Sequence, residues 1–137
     1  MKYIYLLAIL SLFCCKKSSS QENKIEEYLD TLEIPKSNKV LIIYIDGCTS
    51  CFVNHKTLTE EASKNDEYQI IVVTKSRKKA VLLLGEDLIP KVYLDTDLIA
   101  VESGLVSGFP VVFSFSEDGR LMNVTQIDYS SKNLSLP

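Results

Sequence analysis

The sequence predicts an α/β/α sandwich around a mixed, mainly parallel central sheet with a C-terminal β-hairpin. Short apolar runs alternate with helix-compatible segments as far as Gly108, and this alternation implies parallel strands joined by helical crossovers. Beyond that point the strand-like runs 110–115 and 120–127 flank an Asp-Gly turn at residues 117–119, which is a strong hairpin signal.

The length and composition indicate one globular domain. The chain has 137 residues, of which 46% are hydrophobic and 24% charged. That is enough for one core and too little for two. With 15 Lys and Arg against 18 Asp and Glu, the chain offers no basic stripe for nucleic acid, so nucleic acid is excluded as a partner.

Residues 1–15 form an export signal: Lys2 supplies the positive start, and an apolar run, 3–13, precedes Cys14 and Cys15. The run is too short for a transmembrane helix, which needs about 20 residues. A cysteine directly after such a run resembles a bacterial lipoprotein signal, which implies a lipid on Cys15 and a membrane anchor. Processing at Cys14 and an ordinary secretory signal are the alternatives.

A polar tether, residues 16–22, separates this signal from the domain at 23–137. The domain opens with a helix at 23–32, for which Asn23 and Glu26 form a capping box. One face of this helix is apolar.

The remaining elements follow in alternation. Residues 40–45 and 69–74 are continuous apolar strands, and 52–64 is the helix between them. The chain then continues with a basic cluster that begins a helix through 80–84, a short strand at 91–95, and a helix or turn at 96–106.

Cys48 and Cys51 form a C-x-x-C pair where the first strand meets the following helix. Unpaired N–H groups and the helix dipole at such a corner favour thiolate, the form that attacks disulfides. The pair therefore predicts thiol–disulfide exchange. The alternatives are a structural disulfide and a zinc half-site, but zinc requires four ligands and the chain has one histidine.

The order strand, G-C-T-S-C, helix, strand, G-F-P-V-V-F and Asp-Gly hairpin resembles the thioredoxin-like superfamily over residues 40–127. The additional segment 75–108 is similar to the segment found in membrane-anchored proteins of the TlpA/ResA type. Those proteins are extracytoplasmic thiol–disulfide oxidoreductases. The resemblance implies that Cys48 is an exposed nucleophile and Cys51 a buried resolving thiol.

The same resemblance implies that Pro110 is a cis-proline beside the cysteine pair. The backbone of the preceding residue, Phe109, is then free to bind a substrate strand.

The chain departs from the family pattern at three places. Gly47 replaces the usual tryptophan before the first cysteine, and Ile42 stands where many thioredoxins bury an aspartate. The sequence after Ile127 is short and polar for a closing helix. Asp46 is the acid nearest to Cys48 in sequence. It would raise the pKa of the thiol if its side chain points at the sulfur, but more often such a residue caps the corner.

His55 lies four residues after Cys51 on one helical stripe. Two roles are open: a packed ring bonded to backbone or water, or a proton relay for the resolving thiol in place of the absent acid. Cys48, Cys51 and His55 supply at most three metal ligands, so no metal site is predicted.

Together these features predict a lipid-anchored protein of the bacterial cell envelope that faces the periplasm. Its partners would be protein or peptide thiols and disulfides and an unidentified redox partner, and it would use no cofactor. The main alternative is a non-catalytic thioredoxin-like binding lipoprotein with a structural or regulatory disulfide. A thiol peroxidase ranks last because its P-x-x-x-T-x-x-C pattern is absent.

Overall fold

The computed structural model describes residues 19–48, 50–130 and 136–137. The predicted signal 1–15, with Cys14 and Cys15, lies outside the described residues, as do residues 16–18 of the predicted tether. The division of the chain into signal, tether and domain therefore stays a prediction. Within the described ranges, no helix has the length and apolar character needed to cross a membrane.

Helices and strands alternate along the chain before a final hairpin. The helices are α1 (Ser19–Thr31), α2 (Phe52–Ala62), α3 (Arg77–Leu84) and α4 (Ile99–Glu102), with a 3₁₀ turn at Ile89–Lys91. The strands are β1 (Lys39–Tyr44), β2 (Tyr68–Val73), β3 (Tyr93–Asp95), β4 (Val111–Phe115) and β5 (Leu121–Gln126).

The five strands form one mixed sheet in the order β3-β2-β1-β4-β5. Strands β1, β2 and β3 are mutually parallel, whereas β4 runs antiparallel to β1 and pairs with β5 in a hairpin. Four strands therefore share one direction. This is the α/β/α sandwich that the sequence predicted, and the fold class is confirmed.

Strand β1 forms the centre of the sheet and supplies side chains to both cores. Residues 40–43 are all 0% exposed. Val40 and Ile42 belong to the core under α1 and α4, and Leu41 and Ile43 to the core under α2 and α3. Because side chains alternate along a strand, a run buried on both faces must be continuously apolar, as this one is.

Helix α1 begins at Ser19, four residues before the predicted N-cap. The early turn is stabilised by tertiary structure, because Glu22 Oε1 accepts a hydrogen bond of 3.0 Å from the backbone N–H of Leu121 in β5. Glu22 also suits the positive end of the helix dipole. The predicted apolar face is buried through Ile25, Tyr28 and Leu29.

Asp95 closes the far end of β3 and is completely buried. Its carboxylate accepts hydrogen bonds from the backbone N–H groups of Ile99 (3.1 Å) and Ala100 (2.9 Å) and from the hydroxyl of Tyr28 (3.1 Å). Burial, and then the charge of Asp95, raise the pKa of Tyr28. One carboxylate thus joins α1, β3 and α4, and the helix or turn predicted at 96–106 contains the short α4.

Tyr28→Phe should lower the free energy of unfolding by about 2 kcal/mol, since a hydrogen bond to a charged, buried group is lost. Urea unfolding measures the difference. The matched control is Tyr93→Phe, which removes a hydroxyl from a half-buried ring on β3 and should change stability by less than about 0.5 kcal/mol. Equal effects of the two substitutions would contradict the role assigned to Asp95.

Candidate active site

The cysteine pair lies at the corner between the central strand and α2. Cys51 is the N-cap residue of α2, and its Sγ is joined to Cys48 Sγ in a disulfide with the Cα atoms 5.5 Å apart. Ser50 Oγ lies 3.4 Å from Cys48 Sγ. Since a disulfide sulfur carries no hydrogen, the serine hydroxyl is the donor in this contact.

Both cysteines are half-buried. The resemblance implied an exposed Cys48 and a buried Cys51, but exposure does not separate the two residues in the disulfide form. Their positions do differ, because Cys51 belongs to the helix and its carbonyl accepts the N–H of His55 at 2.9 Å. The nucleophilic and resolving roles stay predictions.

Asp46 caps the corner. Its carboxylate accepts hydrogen bonds from Lys79 Nζ (2.6 Å), the backbone N–H of Lys75 (2.9 Å) and the hydroxyl of Thr74 (3.2 Å). Partial burial alone would raise the pKa of Asp46, but these bonds, led by the one from Lys79, hold it below its usual value. The carboxylate is thus neutralised locally by Lys79, whose ammonium also lies 5.4 Å from the centroid of the Phe52 ring.

The Tyr44 ring packs against Gly47, the residue that precedes the first cysteine. A Cβ atom added to Gly47 would lie 2.8 and 2.9 Å from two ring carbons of Tyr44, and 3.8 Å from the carbonyl oxygen of Ser107. The corner therefore has an aromatic wall, contributed by the last residue of β1, and Gly47 is required by this close approach. The same distances place the loop before Pro110 beside the cysteine corner.

The peptide bond between Phe109 and Pro110 is trans, since the described residues contain no cis peptide bond. The predicted cis-proline is therefore wrong. The trans isomer is intrinsically favoured by about 0.5–1 kcal/mol in X-Pro bonds, and Pro110 directly precedes β4. Pro110 is buried, and its carbonyl accepts the N–H of Ile127 at 2.8 Å.

Phe109 is open to a ligand in two respects. Its side chain is 41% exposed. Among the described residues, none forms a hydrogen bond with its backbone N–H or carbonyl, because Phe109 precedes the ladder that begins at Val111. The predicted substrate-binding role of Phe109 is compatible with this geometry and stays a prediction.

His55 is completely buried one helical turn after Cys51. Its Nδ1 lies 3.0 Å from the hydroxyl oxygen of Tyr129, and the two rings meet edge to face with centroids 5.4 Å apart. Tyr129 also contacts Phe109, at a centroid distance of 6.2 Å. His55, Tyr129 and Phe109 therefore form a continuous aromatic contact between α2 and the loop before β4.

Burial, and then the charge of Lys79, lower the pKa of His55 from 6.5 to about 4. At pH 7 roughly one ring in a thousand is protonated. The neutral imidazole can still form hydrogen bonds through both of its nitrogens. The second ring proton, which a proton relay would have to hold, is disfavoured. The predicted relay role has not been tested, and the packed-ring alternative gains a specific partner in Tyr129.

Ile42, the position at which the resemblance to thioredoxins implied a buried aspartate, is fully buried in β1. No group of three or more His, Cys, Asp or Glu side chains in the described residues is arranged to hold a metal ion.

Three side chains at the site were missed by sequence reasoning. Tyr129 lies in a segment without a pattern, and Tyr44 was taken only as part of an apolar strand. Lys79 belongs to the basic cluster that begins a helix, and the structure shows it half-buried against Asp46. Only the departure at Gly47 was a usable signal, because a glycine leaves space for a neighbouring ring.

No family model and no curated protein matches this chain. Among solved structures, the chain is similar to the thioredoxin domain of a thiol–disulfide oxidoreductase from Bacteroides vulgatus, with 24% identity, 70% of this chain and 73% of that chain covered, and a TM-score of 0.39. The fold class described above is assigned from this chain's own strand order and register.

Stability should fall as the pH is lowered from about 6.5 to about 4. The unfolded chain takes up a proton on His55 in that range and the folded chain does not, so the loss reaches about 3 kcal/mol at pH 4. Urea unfolding across the range measures it. His55 is the one histidine of the sequence, so His55→Leu should flatten this part of the profile; an unchanged slope would show that another group is responsible.

Gly47→Ala should destabilise the fold by about 1–3 kcal/mol, because the added methyl group forces the Tyr44 ring to move. The same substitution in a Tyr44→Ala background should cost much less, since the clashing ring carbons are absent. Chemical unfolding of the four proteins gives the coupling energy. Equal costs in the two backgrounds would mean that Tyr44 does not cover this position.

Proposed function

We propose that this protein exchanges disulfides with protein or peptide substrates through Cys48 and Cys51. The observation that carries the proposal is the position of the pair: a half-exposed disulfide at the N-terminus of an 11-residue helix. Unpaired N–H groups and the helix dipole favour a thiolate there. Neutralisation of Asp46 by Lys79 removes the nearest charge that would oppose a thiolate.

In the reducing direction, the Cys48 thiolate attacks one sulfur of a substrate disulfide. A bond forms between Cys48 Sγ and that sulfur, and the second substrate sulfur leaves as a thiolate. The Cys51 thiolate then attacks Cys48 Sγ, which forms the Cys48–Cys51 disulfide and expels the first substrate sulfur. Two electrons pass from the pair to the substrate, and the reverse sequence oxidises a substrate dithiol.

The substrate strand is proposed to bind along Phe109 and Pro110. The Phe109 side chain is exposed and its backbone groups are unpaired among the described residues. Backbone pairing with an extended peptide would hold the substrate sulfur near the corner with little dependence on its sequence. The Tyr44 ring beside Gly47 supplies a second wall.

The site of action is proposed to be the bacterial cell envelope, on the periplasmic side, with the protein held to the membrane by a lipid on Cys15 or Cys14. This part of the proposal rests on the sequence of residues 1–15. The redox state of the periplasm is not set by a glutathione buffer. The cysteine pair therefore depends on a separate redox partner, as in proteins of the TlpA/ResA type.

A second candidate function is a binding module whose disulfide is structural. The observation that favours it is Ile42, which places a buried apolar side chain where an acid would manage the proton of the resolving thiol. The midpoint potential separates the two: about −120 to −270 mV is the range of exchange enzymes, and values below about −300 mV are typical of structural disulfides.

The full chain carrying Cys14→Ser and Cys15→Ser should accelerate the reduction of insulin disulfides by dithiothreitol. Adding Cys48→Ser should reduce the rate to the uncatalysed background, since the attacking sulfur is removed. Adding Cys51→Ser instead should leave a stable mixed disulfide on Cys48, detectable by mass spectrometry.

The parent with both pair cysteines intact is the control for these variants. Full turnover by the Cys48→Ser variant would refute the mechanism, and a parent that neither turns over insulin nor has a potential above about −300 mV would favour the binding module.

A further inference from the structure

One nitrogen of His55 is buried without a partner. The Nδ1 atom is paired with Tyr129, but Nε2 has no hydrogen-bond partner among the described residues, and the whole side chain is 0% exposed. A buried polar atom without a partner is unfavourable, and such atoms are rare in folded proteins. Because His55 lies one helical turn after Cys51, the reduced form of the pair offers this atom an acceptor that the disulfide does not.

Tyr129 determines which nitrogen of His55 carries the proton. A phenol is more acidic than a neutral imidazole N–H, and an imidazole nitrogen is more basic than a phenol oxygen. The favoured bond therefore runs from the Tyr129 hydroxyl to His55 Nδ1. Burial raises the pKa of Tyr129, so the hydroxyl stays protonated. With Nδ1 as acceptor, the single ring proton lies on Nε2, which becomes an N–H donor.

Helix geometry places the His55 side chain over the turn that begins at Cys51. His55 follows Cys51 by four residues, and its backbone N–H donates to the Cys51 carbonyl at 2.9 Å. Side chains on a helix lean towards the N-terminus and cover the preceding turn, which here begins at Cys51. In the disulfide, Cys51 Sγ is neutral and a weak acceptor; as a thiolate it is charged and accepts a much stronger hydrogen bond.

We propose that His55 Nε2–H, oriented by Tyr129, is a hydrogen-bond donor for the Cys51 thiolate, so that the two side chains favour opening of the Cys48–Cys51 disulfide. The proposal rests on the proposed function in one respect, that the pair cycles between disulfide and dithiol. His55 and Tyr129 act as positioning residues: neither exchanges a bond with the substrate.

The step in which the donor acts is defined. An external thiolate attacks Cys48 Sγ, a bond forms between the two sulfurs, and the Cys48–Cys51 bond breaks with its electron pair leaving on Cys51 Sγ. Stabilisation of that leaving thiolate speeds the step and favours the reduced form. In the disulfide, by contrast, the Nε2–H is left without an acceptor, which destabilises the oxidised form.

The charges around His55 support a neutral ring acting as donor. Among the described residues, the charged and titratable groups that the structure shows acting on the ring are Lys79, through its charge, and Tyr129, through its hydroxyl. Lys79 disfavours a second proton on the ring, and its own charge is balanced by Asp46 at 2.6 Å. The effect of His55 therefore does not require an imidazolium and should persist through neutral pH.

The test compares midpoint potentials in the full chain carrying Cys14→Ser and Cys15→Ser, equilibrated with dithiothreitol buffers. Tyr129→Phe keeps the ring contacts and removes the hydroxyl. It should favour the disulfide by about tenfold in the equilibrium constant, a shift of about −30 mV, and slow reduction of the disulfide by dithiothreitol. Tyr68→Phe is the matched control, because it also removes a hydroxyl that forms a hydrogen bond. The Tyr68 hydroxyl donates to the backbone oxygen of Pro137, at the opposite end of the sheet.

A double-mutant cycle separates this role from a purely structural one. His55→Leu should shift the potential in the same direction, and Tyr129→Phe should add nothing in that background because Tyr129 acts through His55. In a Cys48→Ser background, Tyr129→Phe should also raise the pKa of the Cys51 thiol, measured as the pH dependence of its alkylation.

An unchanged potential in Tyr129→Phe, or an equal shift in the presence and absence of His55, would overturn the proposal. A second measurement needs no variant: the ¹⁵N chemical shifts of the single histidine report its tautomer, and a proton on Nδ1 in the oxidised protein would also overturn it. These results are independent of insulin turnover. If the parent neither turns over insulin nor has a potential above about −300 mV, the proposed function fails, while the shifts in potential between variants still decide the role of His55.

Discussion

The central strand β1 is the element on which the rest of the structure depends. It is hydrogen-bonded to β2 on one edge and to β4 on the other, and residues 40–43 are buried on both faces. A strand held in this way has one register, because a slip of one residue would exchange its two faces. The cysteine corner follows β1 directly, so its position is determined by the best-packed part of the protein. The disulfide therefore lies on a rigid support.

The second support of the site comes from the end of the chain. The bond from Ile127 N–H to the Pro110 carbonyl extends the β4–β5 pairing by one step beyond the strands. This step directs the following residues back across the sheet, where Tyr129 reaches both Phe109 and His55. Residues more than 70 positions apart thus meet beside the cysteines. The hairpin therefore has a role in the site as well as in the sheet.

The cysteine corner contains a compensated charge pair. Asp46 and Lys79 satisfy each other at 2.6 Å, and Asp46 also holds the loop at Thr74 and Lys75. Cys51 lies at a helix N-terminus, one turn before a neutral histidine whose hydrogen-bond partner Tyr129 keeps its proton. Hydrogen-bond donors and the helix dipole, rather than full charges, are left to stabilise a thiolate.

The sequence by itself determined the fold class, the strands of the sheet and the corner that carries the cysteine pair. These follow from local pattern: continuous apolar runs, an apolar helix face and an Asp-Gly turn. Element ends were less well predicted, as at Ser19 and at the short α4, because Glu22 and Asp95 extend or cap helices through bonds to distant residues. The prediction of a cis-proline was wrong because it came from the resemblance to a family and not from local chemistry.

Only the tertiary structure decided what surrounds the cysteines. Folding forms three contacting pairs of residues there, and two of the three join different elements. The pairs are Tyr44 with Gly47, Lys79 with Asp46, and Tyr129 with His55. No periodicity in the sequence encodes such pairs, since each depends on the path of the chain between its members. The sequence therefore identified the sulfur atoms, while the fold selected the side chains that control their environment.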